Sequence, residues 1–287
     1  MANRVKMADK RQQRLADFVA PFRVKPGSKV NLAEDFDPAF KAGVKKKKEG
    51  VALLAEGVRL LSEYQARLAA QDTWGVLVVL QALDAAGKDG TIRHLMSGVN
   101  AQGVAVHSFK VPSAEELDHD YLWRYVGRLP ARGDIGIFNR SHYEDVLVVR
   151  VRALQPEAVW RPRYEHINAF ERMLTDEGTV IRKFFLHLSR DEQLERLQER
   201  LDDPTKNWKF ETQDLEERSR WDEYTAAYEE MLERTSTPWA PWFIVPADKN
   251  KARDYLIARE LVLTLEGMAP EYPKADPAVL ALRPTLR

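Results

Sequence analysis

Hydrophobic positions change period several times along the chain, and the changes divide it into elements. Residues 1–44 sustain no period and are broken by Pro21, Pro26, Gly27, Pro38 and Gly43, which predicts irregular structure. From 46 to 70, Leu53, Leu54, Val58, Leu61 and Leu68 recur at helical spacing. Residues 75–82 (GVLVVLQA) form a continuous apolar, β-branched run, the pattern of a strand buried on both faces. Beyond it the pattern predicts a helix over 91–99, a strand over 104–110 and a helix opened by Ser113, with Glu116 at capping-box spacing. A strand over 135–138, helices over 143–151 and 164–176, and a strand over 180–188 follow. A charged helix over 191–201 stops at Asp203-Pro204; a helix over 214–234, a strand over 242–246 and a helix over 251–266 complete the series. Alternation of this kind predicts an α/β domain, a parallel sheet with helices on both faces. The tail from Pro270, rich in Pro and Ala, reads as irregular.

Composition narrows this picture in a few respects. At 287 residues and 44% hydrophobic, the chain suits one large domain with an extension. The organisation expected is a basic extension and helix over 1–70, a catalytic domain over 71–270 and a tail over 271–287. There is no cysteine, so disulfides and thiolate metal sites are excluded. No signal-peptide run and no membrane-length apolar run is present, which reads as a cytoplasmic protein with no membrane partner. The 44 basic and 44 acidic residues balance, so no global field calls for nucleic acid. Locally, residues 1–48 hold 13 Lys/Arg against 5 Asp/Glu and end in Lys45-Lys46-Lys47-Lys48. That segment reads either as a solvated arm or as a guide for a polyanion.

The candidate chemistry starts where the first strand ends. Ala82-Leu83-Asp84-Ala85-Ala86-Gly87-Lys88-Asp89-Gly90-Thr91 joins a strand to a helix. Small residues there let backbone N–H groups turn around phosphate oxygens, the helix N-terminus adds positive potential, and Lys88 reaches the terminal phosphates. The match to G-x-x-x-x-G-K-[ST] is incomplete: Ala82 replaces the first Gly, and Asp89 replaces the hydroxyl residue. Asp84 would repel bound phosphate unless a cation stood between them, which points to Mg²⁺.

A second motif, Phe138-Asn139-Arg140-Ser141-His142-Tyr143-Glu144-Asp145, ends the third strand. In P-loop folds an acid is expected there, and Asn139 is neutral; Glu144 and Asp145 follow and can supply the charge. Arg140 suits bidentate contact with phosphate oxygens. Together the two motifs resemble the polyphosphate kinase 2 family, and the resemblance runs from about 45 to 270, including Tyr121-Leu122-Trp123-Arg124 and Lys206-Asn207-Trp208-Lys209. It is closest to the subgroup, called class III, that phosphorylates nucleoside mono- and diphosphates.

The resemblance implies a thymidylate-kinase-like P-loop fold, a helical lid at about 190–215 and assembly as a homo-dimer or homo-tetramer. It implies Mg²⁺-dependent transfer between inorganic polyphosphate and AMP or ADP, with guanine nucleotides a second candidate. It assigns Asp84 and Asp145 to Mg²⁺ and catalysis, Lys88 and Arg140 to phosphates, and Glu144 to nucleotide-class preference. Residues 85–91 (Ala85, Ala86, Gly87, Lys88, Asp89, Gly90, Thr91), with Arg93 and Asn139, are the remaining core of the expected phosphate site.

In the lid region Arg196 and Arg200 share a helix face, and Lys206 and Lys209 follow the Asp203-Pro204 break. Such cations can close over phosphates and exclude water. Trp208, between two lysines, either stacks on a base or packs the lid. Arg93, His94, Lys110, Arg124 and Arg128 flank the loop and can line a polyanion track. The six histidines have no metal-ligand spacing. Two other functions remain open from the residues alone: an ATP-dependent nucleoside or nucleotide kinase, and a non-catalytic polyphosphate-binding regulator.

Overall fold

The computed structural model describes Gln13 and residues 16–285. Five strands, β1 (Gly75–Gln81), β2 (Val104–Ser108), β3 (Ile135–Asn139), β4 (Thr179–His187) and β5 (Trp242–Pro246), form one sheet. Every neighbouring pair is parallel, in the order β2-β3-β1-β4-β5. The chain leaves β1 for one side of the sheet and later returns to the other, so the crevice for a ligand lies at the carboxyl ends of β1 and its neighbours. All seven residues of β1 are buried, as its apolar run predicts.

The main helices are α1 (Lys47–Gln71), α2 (Lys88–Leu95), α3 (Arg163–Asp176), α4 (Arg190–Asp202), α5 (Thr212–Ser219), α6 (Trp221–Thr235) and α7 (Asn250–Met268). The period-two alternation of β1 feeds two cores. Val76, Val78 and Leu80 pack with Leu61 and Leu68 of α1 and Ile257 and Leu261 of α7. Leu77 and Val79 pack with Ile167 and Phe170 of α3 and Tyr228 and Leu232 of α6. Each such side chain contributes roughly 1.5–3 kcal/mol on burial. This parallel sheet with helices on both faces is the predicted α/β P-loop architecture.

Four expectations are corrected. The helix predicted from 91 starts at Lys88, because Gly87 turns the chain at φ 96° and lets the helix begin at once. Residues 143–151 are a 3₁₀ turn (His142–Asp145) and a helical turn (Val148–Val151), not one helix. Tyr143, Val146 and Leu147 are wholly buried, so this stretch is an interior corner rather than an amphipathic helix. The helix predicted over 214–234 breaks at Arg220 (φ −97°, ψ 26°), whose guanidinium donates to the Val151 carbonyl at 2.8 Å.

The fourth correction concerns the N-terminal segment. Residues 16–44 are a packed strap, not a solvated arm: Val24, Val30, Leu32 and Val44 are buried. The Val24 N–H donates to the Trp242 carbonyl at 2.9 Å, and the Val30 and Leu32 N–H groups donate to Glu233 and Glu229 of α6 at 3.0 and 2.8 Å. Arg4, Lys6, Lys10, Arg11 and Arg14, part of the predicted basic arm, lie outside the described residues. The capping box of Ser113 and Glu116 forms as expected. The described tail contains a helical turn, Pro277–Leu280, capped by Asp276, and a 3₁₀ turn, Arg283–Thr285. Among the described residues no helix is long and apolar enough to cross a membrane.

Candidate active site

The loop between β1 and α2 has two left-handed residues, Ala85 (φ 66°) and Gly87 (φ 96°), on either side of fully buried Ala86. Such a backbone is disfavoured for alanine and persists only where its surroundings hold it. Here they hold it by its carbonyls. Gln193 Nε2 of α4 donates to the Asp84 carbonyl at 3.1 Å, and Arg196 of α4 donates to those of Ala85 and Ala86 at 3.1 and 3.2 Å. Arg253 of α7 donates to the Ala86 carbonyl at 2.8 Å. Gln193, Arg196 and Arg253 thus fix three successive carbonyls of the loop, next to the first N–H groups of α2, which have no intrahelical partner. A loop held this way at a helix N-terminus has the form of a phosphate cradle.

Inside the cradle the charges are dense. Lys88 is buried, and its Nζ donates to the Ala82 carbonyl at 2.8 Å. Burial, with Arg140 nearby, lowers the pKa of its ammonium, and Asp84 works the other way. Arg140 has a left-handed backbone (φ 61°) anchored to the Leu80 carbonyl at 3.1 Å, a second strained residue facing the loop. Its guanidinium lies 2.8 Å from Asp84 and 3.8 Å from Glu144. Burial alone would raise the Asp84 carboxyl, but Lys88 and Arg140 outweigh it and hold Asp84 below the usual carboxylate range. Burial, with Asp84 close by, pushes the Glu217 carboxyl of α5 up, while its Oε1 accepts from Arg152 at 3.0 Å. Glu217 is not among the residues that the sequence pattern singles out.

Two of the three departures from the P-loop pattern, Asp89 and Asn139, meet each other. Asn139 Nδ2 donates to Asp89 Oδ1 at 2.7 Å, joining the end of β3 to the start of α2. The acid expected on β3 therefore stands on α2 instead. Asp145 sits farther along the second motif, with Arg163 at 3.1 Å and the Tyr125 hydroxyl at 3.4 Å. Burial raises its pKa to about 6, against the pull of Arg163. Asp84 and Asp145 thus have different partners.

The shift of Asp145 has a consequence for stability. Its folded pKa lies above the ordinary 3.8, so its contribution is fully present below that value and lost as pH rises through about 6. In urea unfolding with chelator, Asp145→Asn should therefore gain on the parent by roughly 2 kcal/mol between pH 4 and pH 7. A parent–variant difference that stays constant across that range would contradict it.

Other predicted residues take varied places. The Thr91 hydroxyl donates to Asp254 Oδ1 at 3.1 Å, facing α7, and Arg93 is exposed. Arg200 pairs with Asp214 at 3.5 Å, and Lys206 pairs with Asp203 at 2.9 Å. Trp208 is 76% exposed rather than packed, with Lys209 Nζ 5.1 Å from its ring centre. Arg196, read from sequence as a lid cation, grips the loop backbone.

Arg253 and Asp254 were also missed. A signal was available: α7 is apolar over most of its length, so charged residues within it point into the protein. No described group of three or more His, Asp or Glu forms a metal cage. The donor chemistry nonetheless fits Mg²⁺, which takes one or two carboxylates and completes its shell with water and phosphate oxygens. Asp84, kept ionised at the mouth of the cradle, is such a carboxylate.

Comparison with known proteins agrees with this geometry. Residues 43–273 match the family model for Polyphosphate kinase 2. The AMP/ADP-polyphosphate phosphotransferase of Meiothermus ruber is 53% identical over 261 residues, covering 90% of this chain and 96% of the relative. The ADP-polyphosphate phosphotransferase of Rhodopseudomonas palustris is 47% identical, covering 90% and 93%. The crystal structure of Polyphosphate Kinase 2 from Arthrobacter aurescens superposes with a TM-score of 0.88 at 42% identity, covering 92% of this chain and 94% of the other. The chain belongs to the polyphosphate kinase 2 family.

Proposed function

We propose that this chain is an AMP/ADP-polyphosphate phosphotransferase that moves phosphoryl groups, reversibly, between inorganic polyphosphate and AMP or ADP. The observation that carries this reading is the cradle itself. A loop whose carbonyls are gripped by Gln193, Arg196 and Arg253 stands beside a buried Lys88 and an Arg140 held between Asp84 and Glu144. The similarity to the Meiothermus ruber enzyme, whose name includes both acceptors, supports the choice of AMP and ADP.

In this proposal the loop amides and Lys88 hold phosphate oxygens, and Arg140 spreads the negative charge of a loose, in-line transition state. Asp84 and Asp145 would hold Mg²⁺, which when bound neutralises phosphate charge and orients the oxygens. Glu144 orients Arg140 and biases the class of nucleotide accepted. Asn139 and Asp89 lock the second motif to the loop, while Thr91 fixes α2 from behind. Arg93, Arg200, Lys206 and Lys209 supply cations along the polyphosphate path, with Trp208 available to cover a base. Guanine nucleotides as second substrates, cytoplasmic location and assembly as a dimer or tetramer belong to the same proposal.

The test is a rate assay with long-chain polyphosphate, Mg²⁺ and either AMP or ADP. ADP and then ATP from AMP, ATP from ADP, and loss of both on chelation are expected. ATP from ADP alone would overturn the two-acceptor reading and match the Rhodopseudomonas palustris name. Turnover with ATP but not polyphosphate as donor would overturn the donor.

A further inference from the structure

Arg253 and Asp254 lie more than 160 residues beyond the phosphate loop in sequence, yet they sit directly behind it. Arg253 is 1% exposed and Asp254 is wholly buried. The guanidinium makes a complete fork. Nη1 donates to the Ala86 carbonyl and to Asn250 Oδ1, both at 2.8 Å, and Nε and Nη2 donate to Asp254 Oδ1 at 2.9 and 2.8 Å. Asp254 also accepts from the Thr91 hydroxyl at 3.1 Å and lies 2.7 Å from His94 Nδ1. One ion pair therefore binds the loop backbone and the inner face of α2 together.

We propose that Arg253, oriented by Asp254, is a positioning residue for the phosphate loop. It sets the direction of the Ala86 carbonyl, and through that peptide the direction of the amides that receive phosphate oxygens. A buried ion pair is a poor route to stability, since apolar residues of similar volume do as well or better. A planar fork at fixed angles is what a strained backbone needs in order to be held in one geometry. The fit is close from the other side too. A Cβ on residue 87 would stand 2.2 Å from Arg253 Nη1, so Arg253 can reach the loop as it does only because residue 87 is glycine. Arg196 holds the same carbonyl from α4, so loss of Arg253 should loosen the loop rather than unfold it.

This inference rests on the loop holding phosphate, and the experiment separates the two. Inorganic tripolyphosphate with Mg²⁺ is titrated calorimetrically into the full chain, as parent, Lys88→Ala, Arg253→Lys and Asp254→Asn. Arg253→Lys keeps the charge and loses the fork. It should weaken binding about 10- to 100-fold, the effect of misplacing a binding group by a fraction of an ångström to 1 Å. Its melting temperature should stay close to the parent's, and in turnover KM for the loop's substrate should rise while KM for the other is unmoved. Asp254→Asn should follow it in the same direction. Binding lost in Lys88→Ala but unchanged in Arg253→Lys overturns the positioning role alone. Binding unchanged in both overturns the phosphate loop and this inference with it. Should Arg253→Lys fail to fold, Asn250→Ala removes one neutral acceptor of the fork and should weaken binding about threefold; parity with the parent then overturns the proposal.

Discussion

Lys88→Met should lower the rate of phosphoryl transfer from polyphosphate to ADP by about 10³-fold or more while the protein stays folded. Lys88 is a cation inside the cradle, next to the loop amides and within the field of Asp84 and Arg140. Charge builds on the transferring group, and a preorganised cation there acts in a water-poor site where its effect is large. Methionine fills much of the same volume without the charge. Its effect on stability should be small: the ammonium is desolvated, so removing it relieves a cost that offsets the lost bond to the Ala82 carbonyl. Lys88→Arg should not restore the rate, because a guanidinium is broader than the buried slot that takes an ammonium. Initial rates together with melting curves give the answer. A Lys88→Met protein within tenfold of the parent would remove Lys88 from the chemistry.

The two motifs were legible because what they require is local. A buried strand, a small-residue turn, a glycine at positive φ and a helix start all fall within residues 75–95, and each has its own sequence signal. Partners of the motifs were legible only where the pattern is local too. The Asn139–Asp89 bond spans 50 residues, and each partner alone looked like a departure from the rule. Glu217 lies among Glu216 and Arg218 on a helix that reads as charged surface, and it is buried beside Asp84 only because α5 folds over the loop. The break at Arg220 is set by a contact with Val151, and no local breaker marks it. The strap over 16–44 carries apolar residues at no helical or strand period, and Pro21, Pro26, Gly27, Pro38 and Gly43 break it repeatedly. It packs because Val19, Val24, Val30, Leu32 and Val44 join the two cores, and because backbone N–H groups find carboxylates on α6 and a carbonyl on β5. Periodicity detects faces; it does not detect an aperiodic segment fixed by contacts and bonds to distant partners.

Lys183→Met should destabilise the fold by about 3–5 kcal/mol, a large share of the roughly 5–15 kcal/mol that holds a domain together. Lys183 of β4 and Glu171 of α3 are both wholly buried and 2.6 Å apart. The ammonium also donates to the Tyr143 hydroxyl at 2.8 Å and the Thr235 carbonyl at 2.7 Å, and Tyr143 in turn donates to Glu171 at 2.7 Å. Burial lowers the pKa of the lysine against the pull of Glu171. Burial would raise the glutamate, but Lys183 and His142 outweigh it and lower its pKa. Removing the lysine strands a carboxylate in the interior, and that stranded charge accounts for most of the loss. Lys183→Met with Glu171→Gln should therefore recover most of it, leaving about 1–2 kcal/mol for the Tyr143 and Thr235 groups that lack their partner. His142 and Tyr143 belong to the second motif, so the same network fixes the corner that carries Arg140, Glu144 and Asp145 into the site. Denaturant midpoints for the two single variants and the double variant measure the coupling directly. A double variant no more stable than Lys183→Met would mean that Glu171 is not the stranded charge and that the cost lies in packing around β4.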